Sequence, residues 1–111
     1  MGIQKKVINI AVIGAGKMPN AVHFPILKYL KDQGVYNLSM LCDINIDAAK
    51  ASADTFGFDN YDSDVNKIFN DEKIDAVYIF INAQMHYEYA KKALQSNKHV
   101  FVEKPPASTS L

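Results

Sequence analysis

The feature that most constrains this chain is the passage Val7–Gly16, VINIAVIGAG, together with its continuation KMPNAVHFPIL. A short run rich in β-branched residues stops at two glycines, and an amphipathic pattern begins at once. Strand, tight turn and helix in that order open a βαβ unit. With glycines in the turn, it is the form that wraps a dinucleotide pyrophosphate. Gly14 makes the turn, where a Cβ would clash, and Gly16 lets the backbone come close to the pyrophosphate. Amides near Lys17 and Met18, at the start of the helix, have no partners within it and would bind the same group. The third glycine position of the fingerprint holds Pro19, which a first helical turn accepts because its missing N–H would have had no partner there. A glycine pair alone is also compatible with an ordinary turn, so the assignment depends on the rest of the chain.

That remainder alternates between strand and helix patterns. After a polar terminus over residues 1–6, the expected elements are a strand at Val7–Ile13, apolar on both faces except for Asn9, and a helix at Met18–Asp32. Ala21, Val22, Ile26, Leu27 and Leu30 form the apolar stripe of that helix. Pro25 inside it should cause a break or kink, and Gly34 ends it. A second strand is expected at Asn37–Asp43, then a helix at Ile46–Phe56 capped by Asn45 or Asp43, with Ala48, Ala49 and Ala53 as its packing face and Gly57 closing it. A short strand at Asp59–Tyr61 and a small helix at Val65–Asn70 follow. The last elements are a central strand at Ala76–Ile81, a helix at His86–Ser96 with Tyr89, Ala90, Ala93 and Leu94 on one side, and a strand at His99–Glu103 ended by Lys104-Pro105-Pro106. The expected fold class is α/β, a doubly wound, mostly parallel sheet with strand order 3-2-1-4-5.

Composition narrows the function. The chain has 111 residues, the size of one domain, and 12 basic against 12 acidic side chains. A net charge of zero gives no support to a nucleic-acid or acidic-membrane partner. A lone cysteine, Cys42, excludes a disulfide framework within the chain and reads as a small buried hydrophobe. No apolar run is long enough to span a membrane, and the first strand lacks a signal-peptide cleavage pattern, so a cytoplasmic setting is the default expectation. Three histidines and one cysteine at these spacings make no metal site.

Asp43 falls where this fold places an acid for the adenosine ribose. A carboxylate there accepts hydrogen bonds from the ribose hydroxyls and repels a 2′-phosphate, which favours NAD over NADP. The alternative role for Asp43 is to cap the following helix.

Taken together, GAGKMPNAVHFPIL, CDIN, HYEYAKKAL from His86 and KHVFVEKP resemble the N-terminal NAD(P)-binding Rossmann domain of the Gfo/Idh/MocA oxidoreductase family. The likeness covers essentially the whole chain. Its first motif is carried by Gly14, Gly16, Met18, His23, Pro25 and Leu27, with Pro19 departing from the usual small residue. The Glu103-Lys104-Pro105 triplet is the more discriminating motif.

The resemblance implies NAD or NADP as cofactor and hydride transfer on sugars, cyclitols or related hydroxy and keto compounds. Lys104 matches the family's active-site lysine, whose ammonium can hydrogen-bond a reacting hydroxyl and stabilise developing negative charge. Glu103 matches a residue on the nicotinamide side. His86 matches a histidine often found there, although a helix-start histidine bonded to nearby backbone is an equally good account. His23 and His99 read as packing residues.

Two departures stand out. Where the family commonly has Thr-Pro-Asn after the fourth strand, this chain has Ile81-Asn82-Ala83, so Asn82 keeps a hydrogen-bonding side chain while the threonine hydroxyl is lost. Relatives also continue into a substrate domain that carries an Asp-x-x-x-His pair. Residues 1–111 therefore read as a dinucleotide-binding domain cut before the substrate domain, expected to lack turnover alone and to form homo-oligomers. A non-enzymatic nucleotide-binding or interaction module is the main alternative. A methyltransferase fragment would also fit the glycine turn and the acid, but not the Glu-Lys-Pro triplet.

Overall fold

The computed structural model describes residues 7–15, 23–80 and 83–102, with backbone placement alone for residues 83–86 and 102. In chain order the elements are β1 (Ile8–Ile13), α1 (Phe24–Asp32), β2 (Tyr36–Cys42), α2 (Ile46–Phe56), β3 (Asn60–Asp62), α3 (Asn66–Phe69), β4 (Ala76–Ile79), α4 (Ala83–Gln95) and β5 (His99–Val102). All neighbouring strands pair in parallel, in the order β3-β2-β1-β4-β5. This is the doubly wound α/β sheet expected from the alternation of patterns.

The central strand is apolar on both faces because both faces are covered. Ile10 and Val12 of β1 join Phe24 and Leu27 of α1, Leu38 and Leu41 of β2, and Ala53 of α2 in one core. Ala11 and Ile13 join Cys42, Ile68 and Phe69 of α3, Val77 and Ile79 of β4, and Ala93 of α4 in the other.

On β2, Leu38 and Leu41 lie three residues apart yet face the same core, which strict alternation forbids. The reason is a bulge. Ile10 pairs with Leu38 and Ala11 with Met40, so Ser39 has no partner on β1 and the side-chain parity flips across it.

The helices depart from expectation in instructive ways. The described part of α1 begins at Phe24, so Pro25 sits in its first turn, where it needs no amide partner. Residues 16–22, where the earlier part of that expected helix falls, lie outside the described residues. Phe24 is wholly buried and meets Phe56 and Phe58 edge-on, whereas Ile26 is exposed. Two positions from Phe24 is about 200° round the helix, so the stripe that contains Phe24 and Leu27 cannot also contain Ile26. On α4, Tyr89, Ala90 and Ala93 pack inward as expected, while Leu94 is exposed, one position round from buried Ala93. α4 starts at Ala83, so His86 lies inside the helix rather than opening it.

α2 matches its expected bounds. Asn45 is its cap, accepting from the amides of Asp47 and Ala48, and Gly57 closes it at φ +81°.

The amino end of the sheet is tied by polar groups. The Asn9 amide donates to Asp75 Oδ2 at 2.9 Å, and its side-chain nitrogen donates to the Lys73 carbonyl. Lys98 is buried and donates from Nζ to the carbonyls of Asp71 and Ile74 at 2.6 and 3.0 Å. The carboxyl end is built differently, and it holds the candidate site.

Candidate cofactor site

In an open parallel sheet, ligands bind outside the carboxyl ends of the strands where the strand order reverses. Here the chain leaves β1 for β2 on one side and returns to β4 on the other, so that place is the carboxyl end of β1. Gly14 stands there at φ +112°, a conformation open to glycine and strained for a residue with a Cβ. Its amide donates to the Cys42 carbonyl at 2.8 Å. The next amide, Ala15, donates to Asp43 Oδ2 at 2.7 Å, and Asp43 Oδ1 accepts the Asn45 amide at 2.8 Å. The turn after β1 is therefore held by the last residue of β2 and by the acid that follows it.

Asp43 is half-buried, and each of its oxygens accepts one backbone amide. A carboxylate has about four lone-pair positions, so acceptor capacity remains for ribose hydroxyls. Capping of α2 falls to Asn45 and not to Asp43.

The neighbouring edge is acidic. The Asp43 amide donates to the Asp62 carbonyl at 3.1 Å and carries the β2–β3 pairing outward. Asp62 Oδ1 accepts the amides of Ser63 and Asp64, and Oδ2 pairs with Lys67 at 3.1 Å. The Asp64 amide first, then Lys67 and the Ser63 amide, hold the Asp62 carboxyl below its usual range. Beneath this edge, burial above all, helped by the negative charge of Asp62 and Asp64, pushes the Cys42 thiol up to about 12. The thiol is buried and donates to the Asp64 carbonyl at 3.6 Å, so it serves as core and not as a nucleophile.

On the other flank, the His23 ring stacks on Phe80 at 4.7 Å and 16°, the packing role expected for it. His99 opens β5, with its amide on the Asp75 carbonyl.

Of the residues assigned to the site from sequence, the structure brings Gly14 and Asp43 together. Gly16, Lys17, Met18, Asn82, Glu103 and Lys104 lie outside the described residues, and His86 is placed only by its position in α4. Sequence reasoning missed Ala15 as the direct partner of Asp43. The two are 28 positions apart, and no local pattern marks the contact. A glycine turn at the switch point, with a carboxylate of spare acceptor capacity beside it, fits a dinucleotide. Among the described residues no group of histidine, cysteine or acidic side chains could hold a metal ion.

The sequence profile of the Gfo/Idh/MocA oxidoreductases, an oxidoreductase family with an NAD-binding Rossmann fold, matches residues 8–111. The chain belongs to this family. It is 31% identical over 102 residues to D-glucoside 3-dehydrogenase of Escherichia coli K12, a match covering 92% of this chain and 28% of that protein. Among solved structures it resembles levoglucosan dehydrogenase in complex with NADH, at 28% identity and a TM-score of 0.79, over 94% of this chain and 29% of the other. It also resembles KijD10, a 3-ketoreductase from Actinomadura kijaniata solved with NADP and TDP-benzene, at 26% identity and a TM-score of 0.79, over 90% of this chain and 30% of the other. The chain spans less than a third of the length of these relatives. Among the described residues no helix is long and apolar enough to cross a membrane.

Proposed function

We propose that this chain is the nucleotide-binding half of an NAD(P)-dependent oxidoreductase that acts by hydride transfer on a sugar, cyclitol or related hydroxy or keto compound. The observation that carries this reading is the Gly14 turn, held at the carboxyl end of β1 by Cys42 and Asp43. It sits in a chain that the family profile matches almost end to end. Substrate contacts would come mainly from a further domain, so residues 1–111 alone are expected to bind cofactor without turnover.

Gly14, Gly16, Lys17 and Met18 would hold the pyrophosphate, and Asp43 the adenosine ribose. Asn82, His86 and Glu103 are assigned to the cofactor, Glu103 on its nicotinamide side. When bound, the nicotinamide supplies the hydride acceptor or donor. Lys104 is the residue that would touch the reacting hydroxyl, where its ammonium lowers the energy of developing oxyanion character.

NAD is the favoured cofactor. Asp43, Asp62 and Asp64 lie close together beyond the ends of β2 and β3, and among the described residues the cation beside them, Lys67, is already paired with Asp62. All 12 basic residues of the chain are lysines, so no arginine is available to grip a 2′-phosphate in a bidentate fashion.

Fluorescence titration of the chain with NADH and NADPH tests this. NADH is expected to bind, and more tightly than NADPH. Tighter binding of NADPH would overturn the cofactor assignment, and binding of neither would overturn the function. In a full-length protein, Lys104→Ala should lower kcat much more than it weakens NADH binding.

A further inference from the structure

Resting on that functional reading, we infer that Asp43 is a positioning residue for the pyrophosphate turn as well as a ribose ligand, and that one carboxylate thereby couples the two subsites. The bond from the Ala15 amide to Asp43 Oδ2, at 2.7 Å, is among the shortest side-chain contacts described. Hydrogen bonds with an ionised acceptor are about twice as strong as neutral ones. It joins the residue after Gly14 to the residue after β2, across a gap of 28 positions. The carboxylate cannot swing freely, because its other oxygen holds the Asn45 amide at the mouth of α2. Gly14 is fixed from the same strand by the Cys42 carbonyl. Two successive amides of the turn are thus aimed inward at the end of β2, and this fixes the backbone at Gly14 and Ala15.

A residue that only binds ribose hydroxyls should matter only to ligands that possess them. A brace on the turn should matter to any diphosphate. The probes are therefore ADP and 2′,3′-dideoxy-ADP, titrated calorimetrically into wild type, Asp43→Ala and Asp43→Asn. Asp43→Ala is expected to weaken ADP about tenfold or more and dideoxy-ADP by at least about threefold, since both lose the turn and only ADP loses the ribose contact. Asp43→Asn keeps one acceptor oxygen for the Ala15 amide but sets its NH2 against the Asn45 amide, so it should restore only part of the dideoxy-ADP affinity.

An independent readout is the Ala15 amide by NMR. Its proton should lie downfield in wild type, and in both variants it should move upfield and exchange faster. Unchanged dideoxy-ADP affinity in Asp43→Ala would overturn the coupling, as would an Ala15 amide with the same shift and exchange rate in all three proteins. Failure of the wild-type chain to bind ADP at all would count against the proposed function instead. The amide comparison would then still decide whether the brace exists.

Discussion

The amide of Phe80 donates to the carbonyl of Ile13 at 2.8 Å. This bond lies one step beyond the last paired residues of β1 and β4, Ile13 and Ile79. β4 therefore stays beside β1 up to the lip where the glycine turn starts, while Cys42 grips Gly14 from the opposite side. A turn clamped from both neighbours has little room to adjust to a changed residue.

Gly14→Val should accordingly abolish cofactor binding while leaving a folded domain. At φ +112° a β-branched side chain is strained by about 1–3 kcal/mol. A clamped turn relieves that strain only by changing shape. Far-UV circular dichroism should remain near wild type, and NADH affinity should fall at least tenfold. Wild-type affinity in this variant would mean that the pyrophosphate is held elsewhere.

Alkaline pH should weaken the fold through Cys42. The thiol's ordinary value of 9.0 is raised to about 12 by burial, so the unfolded chain releases this proton first as pH rises. The stabilising share is complete below pH 9 and is lost progressively between about 9 and 12. Tyr78 acts in the same sense, its phenol raised by burial and by the hydrogen bond with the Tyr36 hydroxyl. Urea unfolding across this pH range should show stability falling, with a shallower slope in Cys42→Ala. That variant should also be less stable at neutral pH by roughly 1 kcal/mol, from the small cavity it opens.

Lys98→Met should destabilise the domain by about 1–3 kcal/mol, because the buried Ile74 carbonyl and the half-buried Asp71 carbonyl lose their donor while the packing volume is nearly kept. The midpoint of urea unfolding should fall. An unchanged midpoint would show that water replaces the ammonium at no cost.

β5 forms an edge of the sheet among the described residues, and Phe101 is 45% exposed while it stacks on Tyr78. An uncharged strand edge of this kind is a template for another chain, so the isolated chain is expected to self-associate. Sedimentation over a dilution series checks this. Phe101→Lys should shift association to higher concentration, and a stable monomer at high concentration would contradict the expectation.

The strands and their order were legible because a covered parallel sheet writes itself as apolar runs separated by helix patterns. The bounds of α2 were legible because its signals are local, with Asn45 two and three residues from the amides it caps. The phase of α1 was not legible. With Pro25 in the first turn, the buried stripe is set by Phe24 and Leu27 and passes Ile26 by. The glycine turn and Asp43 could each be recognised alone, but their direct bond through Ala15 could not. That contact exists only once β1 and β2 lie side by side.

The unpaired Ser39 gives β2 two reading frames. Before it, one parity of side chains faces the α1–α2 core, and after it the other parity does. Deleting Ser39 alone would make Leu38 and Met40 successive, so Leu38 and Leu41 would fall two apart and still face the same core by plain alternation. A homologue built without the bulge would thus keep the same order of apolar residues in a strand one residue shorter. Core leucines three apart in this strand mark the bulge, and core leucines two apart would mark its loss.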